Sequence, residues 1–216
     1  MDTKKSVNSC TFGYGRKKED GMSFFEGIDL NRLFVSEDVI RTGDLQNDVS
    51  DELISRAEAT MGYKLPESYK ELLRFRNGGG INDELEESWL TEIYGIATDP
   101  DDFHGLEAMY DNWRNEWEYP DIGIPFGETA SAGHDMYYMD CRVTDENGEP
   151  RIVRIDNEMG NEVFFIADNL LEFIKLILKD EPIDEKSTGE KFEIEYEQPE
   201  APVKEEKKSF FGKLFK

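Results

Sequence analysis

The chain has 216 residues, with 49 acids against 25 bases, a net charge of −24 and 38% apolar residues. That length suits one domain with extensions, and an aromatic share of 12% excludes a disordered polyanion, which lacks the Phe, Tyr and Trp that offset chain entropy. No run of about 18 apolar residues occurs and no apolar stretch follows Lys4 and Lys5, so neither a transmembrane helix nor a secretory leader is predicted, and the cytoplasm is the expected compartment.

Residues 1–23 read as a flexible basic arm, rich in Lys, Gly and Ser. The folded unit is predicted over 24–180. It opens with an apolar edge element at 24–40, whose spacing settles neither helix nor strand. Residues 50–61 carry helix signals: Ser50 as N-cap, Asp51 and Glu52 where the dipole favours acids, Gly62 as the stop, and Val49 with Ile54 as a hydrophobic staple. A second helix, 66–77, starts on Pro66 and ends at Asn77-Gly78-Gly79-Gly80, read as a C-cap and hinge. Trp89 to Ile96 is read as a strand, and 105–118 as a helix whose Leu106, Met109, Tyr110, Trp113 and Trp117 form a core stripe. Gly123-Ile124-Pro125-Phe126-Gly127 reads as a break. Strands are predicted at 136–141, 152–155 and 163–166, with Asn147-Gly148 as a hairpin turn, and a last helix at 169–179 capped by Asp168. The fold class is therefore α+β, a mainly antiparallel sheet packed with about four helices in a single domain with flexible tails. Residues 181–206 read as an acidic linker, although Phe192 to Tyr196 alternates as a strand would. Residues 207–216 form a basic, aromatic tip.

Chemistry-bearing patterns are sparse. Cys10 and Cys141 lie 131 positions apart without metal or redox spacing, and His104 and His134 sit in turns far from both. Ser131, His134 and Asp135 share one loop, where turn chemistry outweighs a triad. Asp99-Pro100-Asp101-Asp102 departs from a calcium loop, and Gly78-Gly79-Gly80 lacks the Lys and context of a phosphate loop. No catalytic residue, metal or cofactor is expected.

Charge is the stronger pointer. A surface this acidic repels phosphates, so direct nucleic-acid binding is not expected. The ends are basic: residues 21–206 hold 46 acids and 16 bases, and 81–121 hold thirteen acids with Arg114 as the one base. Asp83, Glu84, Glu86, Glu87, Asp99, Asp101 and Asp102 are the candidate partner-binding residues. At the tip, Phe210, Phe211, Leu214 and Phe215 fall on one side of a helix among Lys207, Lys208, Lys213 and Lys216, the composition of a weak interfacial membrane anchor.

Val49-Ser50-Asp51-Glu52-Leu53-Ile54, Met61-Gly62-Tyr63-Lys64-Leu65-Pro66-Glu67-Ser68-Tyr69 and Asn77-Gly78-Gly79 together resemble the N-terminal signature of the SUKH superfamily, which groups bacterial immunity proteins with the yeast Smi/Knr cell-wall regulators. Ile124-Pro125-Phe126-Gly127, Gly133 to Asp140 and Pro150-Arg151-Ile152-Val153 follow the family's order. The resemblance implies a non-catalytic protein-binding domain, most often an immunity protein against a polymorphic toxin, commonly a nuclease, and the acidic 81–121 segment fits a basic toxin domain as that partner. It also leaves open a regulatory scaffold in cell-wall signalling. A hydrolase using Ser131, His134 and Asp135, or a carboxylate pair, is the remaining alternative.

Overall fold

The computed structural model describes residues 23–35 and 48–192. Four helices, α1 (Asp51–Met61), α2 (Glu67–Phe75), α3 (Leu106–Asn115) and α4 (Leu170–Ile177), pack with seven strands: β1 (Gly79–Gly80), β2 (Leu90–Ile93), β3 (Gly123–Thr129), β4 (Asp135–Thr144), β5 (Pro150–Asp156), β6 (Glu162–Ala167) and β7 (Lys186–Ser187). The sheet is an antiparallel meander in chain order, β1 to β7. This is the α+β architecture that the periodicities predict.

The helices begin where their caps place them. The Ser50 hydroxyl accepts from Leu53 N, Gly62 closes α1 in the left-handed region, and Val49 and Ile54 are both buried. The α4 cap is one residue later than expected: Asn169, and not Asp168, accepts from Glu172 N. The apolar stretch at the start supplies a 3-10 turn at Leu30–Arg32 and a bridge from Phe34 to Ile81.

Adjacent residues of a strand point to opposite faces, and in β4 both Tyr137 and Tyr138 are buried. Phe173 of α4 covers Tyr137, ring centroids 4.9 Å apart, while Tyr119, following α3, stacks on Tyr138 at 5.8 Å. Both sheet faces are therefore covered at its centre, which is why 136–139 reads as apolar on either side.

Three further expectations are revised. The Gly123–Gly127 run is most of β3 and not a break: Pro125 sits beside a register shift, where a missing N–H costs no ladder bond, and a Cβ on Gly123 would meet Met139 O at 1.9 Å. Gly79 and Gly80 are β1 and not a hinge, because α2 ends at Phe75 and the glycines pair with Ile93 and Glu92. Residues 181–192 are packed chain and not free linker. β7 pairs with β6, Glu185 and Glu190 meet the guanidinium groups of Arg154 and Arg151, and the Arg142 guanidinium lies 5.3 Å from the Phe192 ring centroid. Arm residues 1–22, the rest of the linker and the tip with Phe210, Phe211, Leu214 and Phe215 lie outside the described residues.

Candidate protein-binding site

The seven nominated acids divide between the two ends of β2. Asp83, Glu84, Glu86 and Glu87 are exposed on the loop before it; Asp99, Asp101 and the half-buried Asp102 lie on the loop after it. The four residues of β2, about 10 Å at the strand rise, and the chain from Tyr94 to Ala97 separate the two groups.

Each group stands beside one exposed aromatic, Trp89 at 65% exposure and Phe103 at 62%. The second patch is tied down by Arg56 of α1, which donates to the carbonyls of Thr98 (2.6 Å) and Ala97 (2.5 Å) and pairs with the buried Glu107 of α3. Asp99 and Asp102 each accept from a backbone N–H two residues on, fixing the turn.

The first patch has more relief. Asn82 N donates to Leu33 O, and the Asn82 side chain bridges Arg32 O and Glu84 N. Glu86–Ser88 form a 3-10 turn, Ser88 O accepts from the buried Tyr137 hydroxyl at 2.8 Å, and Ala130 N donates to Trp89 O at 2.9 Å. Trp89 itself has φ +57°. A left-handed backbone costs a side-chain-bearing residue about 1–2 kcal/mol, and such residues collect at ligand clamps. Here the strain holds an indole in solvent, where it gains little burial.

The indole stands between two hollows. One, of about 730 Å³, has Ile81, Leu85 and Leu90 as its apolar part with Asp83 and Glu86 on its rim. The other, of about 440 Å³, carries Glu87, Asp135, Asp156 and Glu185 against the single cation Arg154. Arg154 pairs with Asp135 and with Glu185 (2.6 Å), and Asp156 is 3.7 Å away. Burial acts to lower the Arg154 pKa, and the surrounding carboxylates more than reverse this and keep it charged. Burial, helped by Asp156 and Glu185, lifts the Asp135 carboxyl above its usual range despite Arg154. One hollow suits an apolar side chain, and the other has acids in excess of its cation.

Sequence reasoning nominated the acids of the first patch for their charge density and did not nominate Trp89, which at the head of a strand reads as core. It also missed Arg154 and Glu185, which lie 31 positions apart and carry no local signal of pairing. Ser131, His134 and Asp135 turn to separate partners: the Ser131 hydroxyl accepts from Asp135 N at 2.7 Å, His134 Nδ1 lies 3.4 Å from Glu158, and Asp135 is held by Arg154. Among the described residues, no group of three or more His, Cys, Asp or Glu side chains is placed to hold a metal ion, and no helix is long and apolar enough to cross a membrane.

Comparison with curated proteins returns no match. Residues 48–176, from the turn before α1 through most of α4, match the SMI1 / KNR4 family (SUKH-1). The matched span includes Trp89, the acidic loop at 82–88 and the Asn-Gly-Gly that opens β1, and by that match the chain belongs to the SMI1 / KNR4 family.

Proposed function

We propose that this domain is a non-catalytic binding module of the cytoplasm, an immunity protein that occludes a basic, nucleic-acid-cleaving toxin domain through the face around Trp89. The observation that carries the reading is an exposed, strained tryptophan between an apolar and an acidic hollow, rimmed by Asp83, Glu84, Glu86 and Glu87. Interfaces concentrate their energy in a few central anchors, often Trp, while rim charges set the association rate. The Asp99, Asp101 and Asp102 patch beside Phe103 adds long-range attraction from the far end of β2.

The test is co-expression of the full chain with the toxin domain encoded in its genomic neighbourhood. The wild type should restore growth and form a complex. Trp89→Ala should weaken that complex about 30-fold, the loss of an anchor of about 2 kcal/mol. Reversing Asp83, Glu84, Glu86 and Glu87 to Lys should slow association at low salt with little change in the dissociation rate. Full protection and affinity in both variants would place the face elsewhere.

A further inference from the structure

We propose that the two hollows flanking Trp89 are the docking site of this chain's own C-terminal decapeptide, Lys207–Lys216, so that the face carries a tethered competitor for its partner. The proposal rests on the reading of that face as the binding site and adds what regulates it.

The hollows define their occupant. The apolar one asks for an aromatic or aliphatic side chain; the acidic one, with four carboxylates to one guanidinium, asks for a cation and excludes an acid. The Trp89 indole between them offers its face to either, since an exposed indole attracts an ammonium as well as a ring. The ligand must therefore alternate cations with large apolar groups over a short span and carry no acid. Lys207-Lys208-Ser209-Phe210-Phe211-Gly212-Lys213-Leu214-Phe215-Lys216 has four Lys, three Phe, one Leu and no acidic side chain. Its four ammonium groups answer the four acids of the 83–87 rim.

The connection reaches. The described chain ends at Phe192, whose carbonyl accepts from Asn161 beside β6. From β6 to β2 is four strand spacings, about 19 Å. The fourteen residues 193–206 span up to about 46–50 Å. They hold six acids and one Lys, so the connection itself is repelled by the rim it crosses. The segment that leads to it already borders the site: Asp180 accepts from Glu87 N, and Pro182, Ile183 and Glu185 line the acidic hollow. This continuity favours the C-terminal tip over the basic arm, with its Phe12, Tyr14, Arg16, Lys17 and Lys18, as occupant.

The experiment compares the full chain with a full-length variant carrying Phe210→Ala, Phe211→Ala and Phe215→Ala, reading the indole N–H resonance of Trp89, assigned with Trp89→Phe. The resonance should differ between the two chains, and adding the free decapeptide to the variant should return it to the wild-type position. Salt at 0.5 M should move the wild type toward the variant. The variant should also bind the toxin domain about tenfold more tightly, since a site nine-tenths occupied loses that factor in apparent affinity. Identical resonances with no response to the peptide would overturn the proposal, as would a Trp89 shift produced by reversing Arg16, Lys17 and Lys18 and not by the tip variant. Recruitment of the wild type alone to phosphatidylglycerol vesicles, with unchanged Trp89 resonance, would overturn it in favour of a membrane contact. If the tip has no effect while Trp89→Ala still weakens toxin binding, only the tether fails. If the tip docks and Trp89→Ala leaves toxin binding intact, the partner reading fails.

Discussion

Asp140 shows how a chain with so many acids keeps one of them inside. Its carboxylate is fully buried in β4, which on its own would raise the pKa, yet hydrogen bonds from Arg142 (2.8 Å) and Arg151 (2.7 Å) hold it below the usual carboxylate range. Both guanidinium groups also meet Glu190, so this cluster ties the segment after β7 to the sheet. A carboxyl with a depressed folded-state pKa contributes stability above its unfolded pKa of about 3.9 and loses it as pH falls through the folded value. Asp140→Asn should therefore cost about 3 kcal/mol at pH 7, the lower end for a broken buried pair because Arg142 is partly solvated. Urea denaturation of both proteins across pH should show the difference shrinking below about pH 4. A gap independent of pH would mean that packing and not charge is lost.

At the scale of elements, the Asn-Gly that opens β1 has a physical account. Asn77 acts as a short strand: its amide donates to Ile96 O at 2.9 Å and its carbonyl accepts from Ile96 N at 2.7 Å. Gly78 sits at φ +72°, and a Cβ there would lie 2.4 Å from Gly95 N; a Cβ on Gly95 would lie 2.3 Å from Asn77 O. The two backbones touch, and this contact sets β1 and the start of the acidic loop against the continuation of β2. Asn77→Ala leaves two buried backbone groups unpaired and should cost about 2–3 kcal/mol; Gly78→Ala should cost at least as much, from clash and φ together. Thermal unfolding checks both, and a shift under about 2 °C for either would show that the contact relaxes freely. The helices were legible because caps and periodicity are local: Ser50, Gly62, Pro66 and the Trp113 stripe each say where they are. β3 was hidden because Gly and Pro signal a break unless a close neighbouring strand demands Gly123 and a register shift accepts Pro125. β7 and the Phe192 contact were hidden because β7 pairs with β6 across the intervening α4, with no local signal, and Phe192 meets Arg142, 50 positions away. The acids of the candidate face were legible as density, but their division between the ends of β2, and the indole between two hollows, depend on where the strand runs.

For the whole molecule, charge enters stability and binding with opposite signs. A net charge of −24 makes the folded state self-repelling, and the Debye length shrinks from about 30 Å at 0.01 M salt to about 8 Å at 0.15 M. Raising salt over that range weakens repulsion among acids spread over the surface while leaving close, partly buried pairs such as Arg154 with Asp135 and Glu185 nearly intact. Unfolding midpoints should therefore rise with salt, by several degrees over that range, because the unfolded chain disperses the same charge over a larger volume. Association with a basic partner should slow over the same range, since the 83–87 and 99–102 acids act on it through the screened field. Measured on one preparation by calorimetry and stopped flow, the two curves should run in opposite directions. A midpoint that falls with added salt would mean that exposed ion pairs such as Arg74 with Asp51 and Lys175 with Glu172 outweigh the repulsion of the acidic surface.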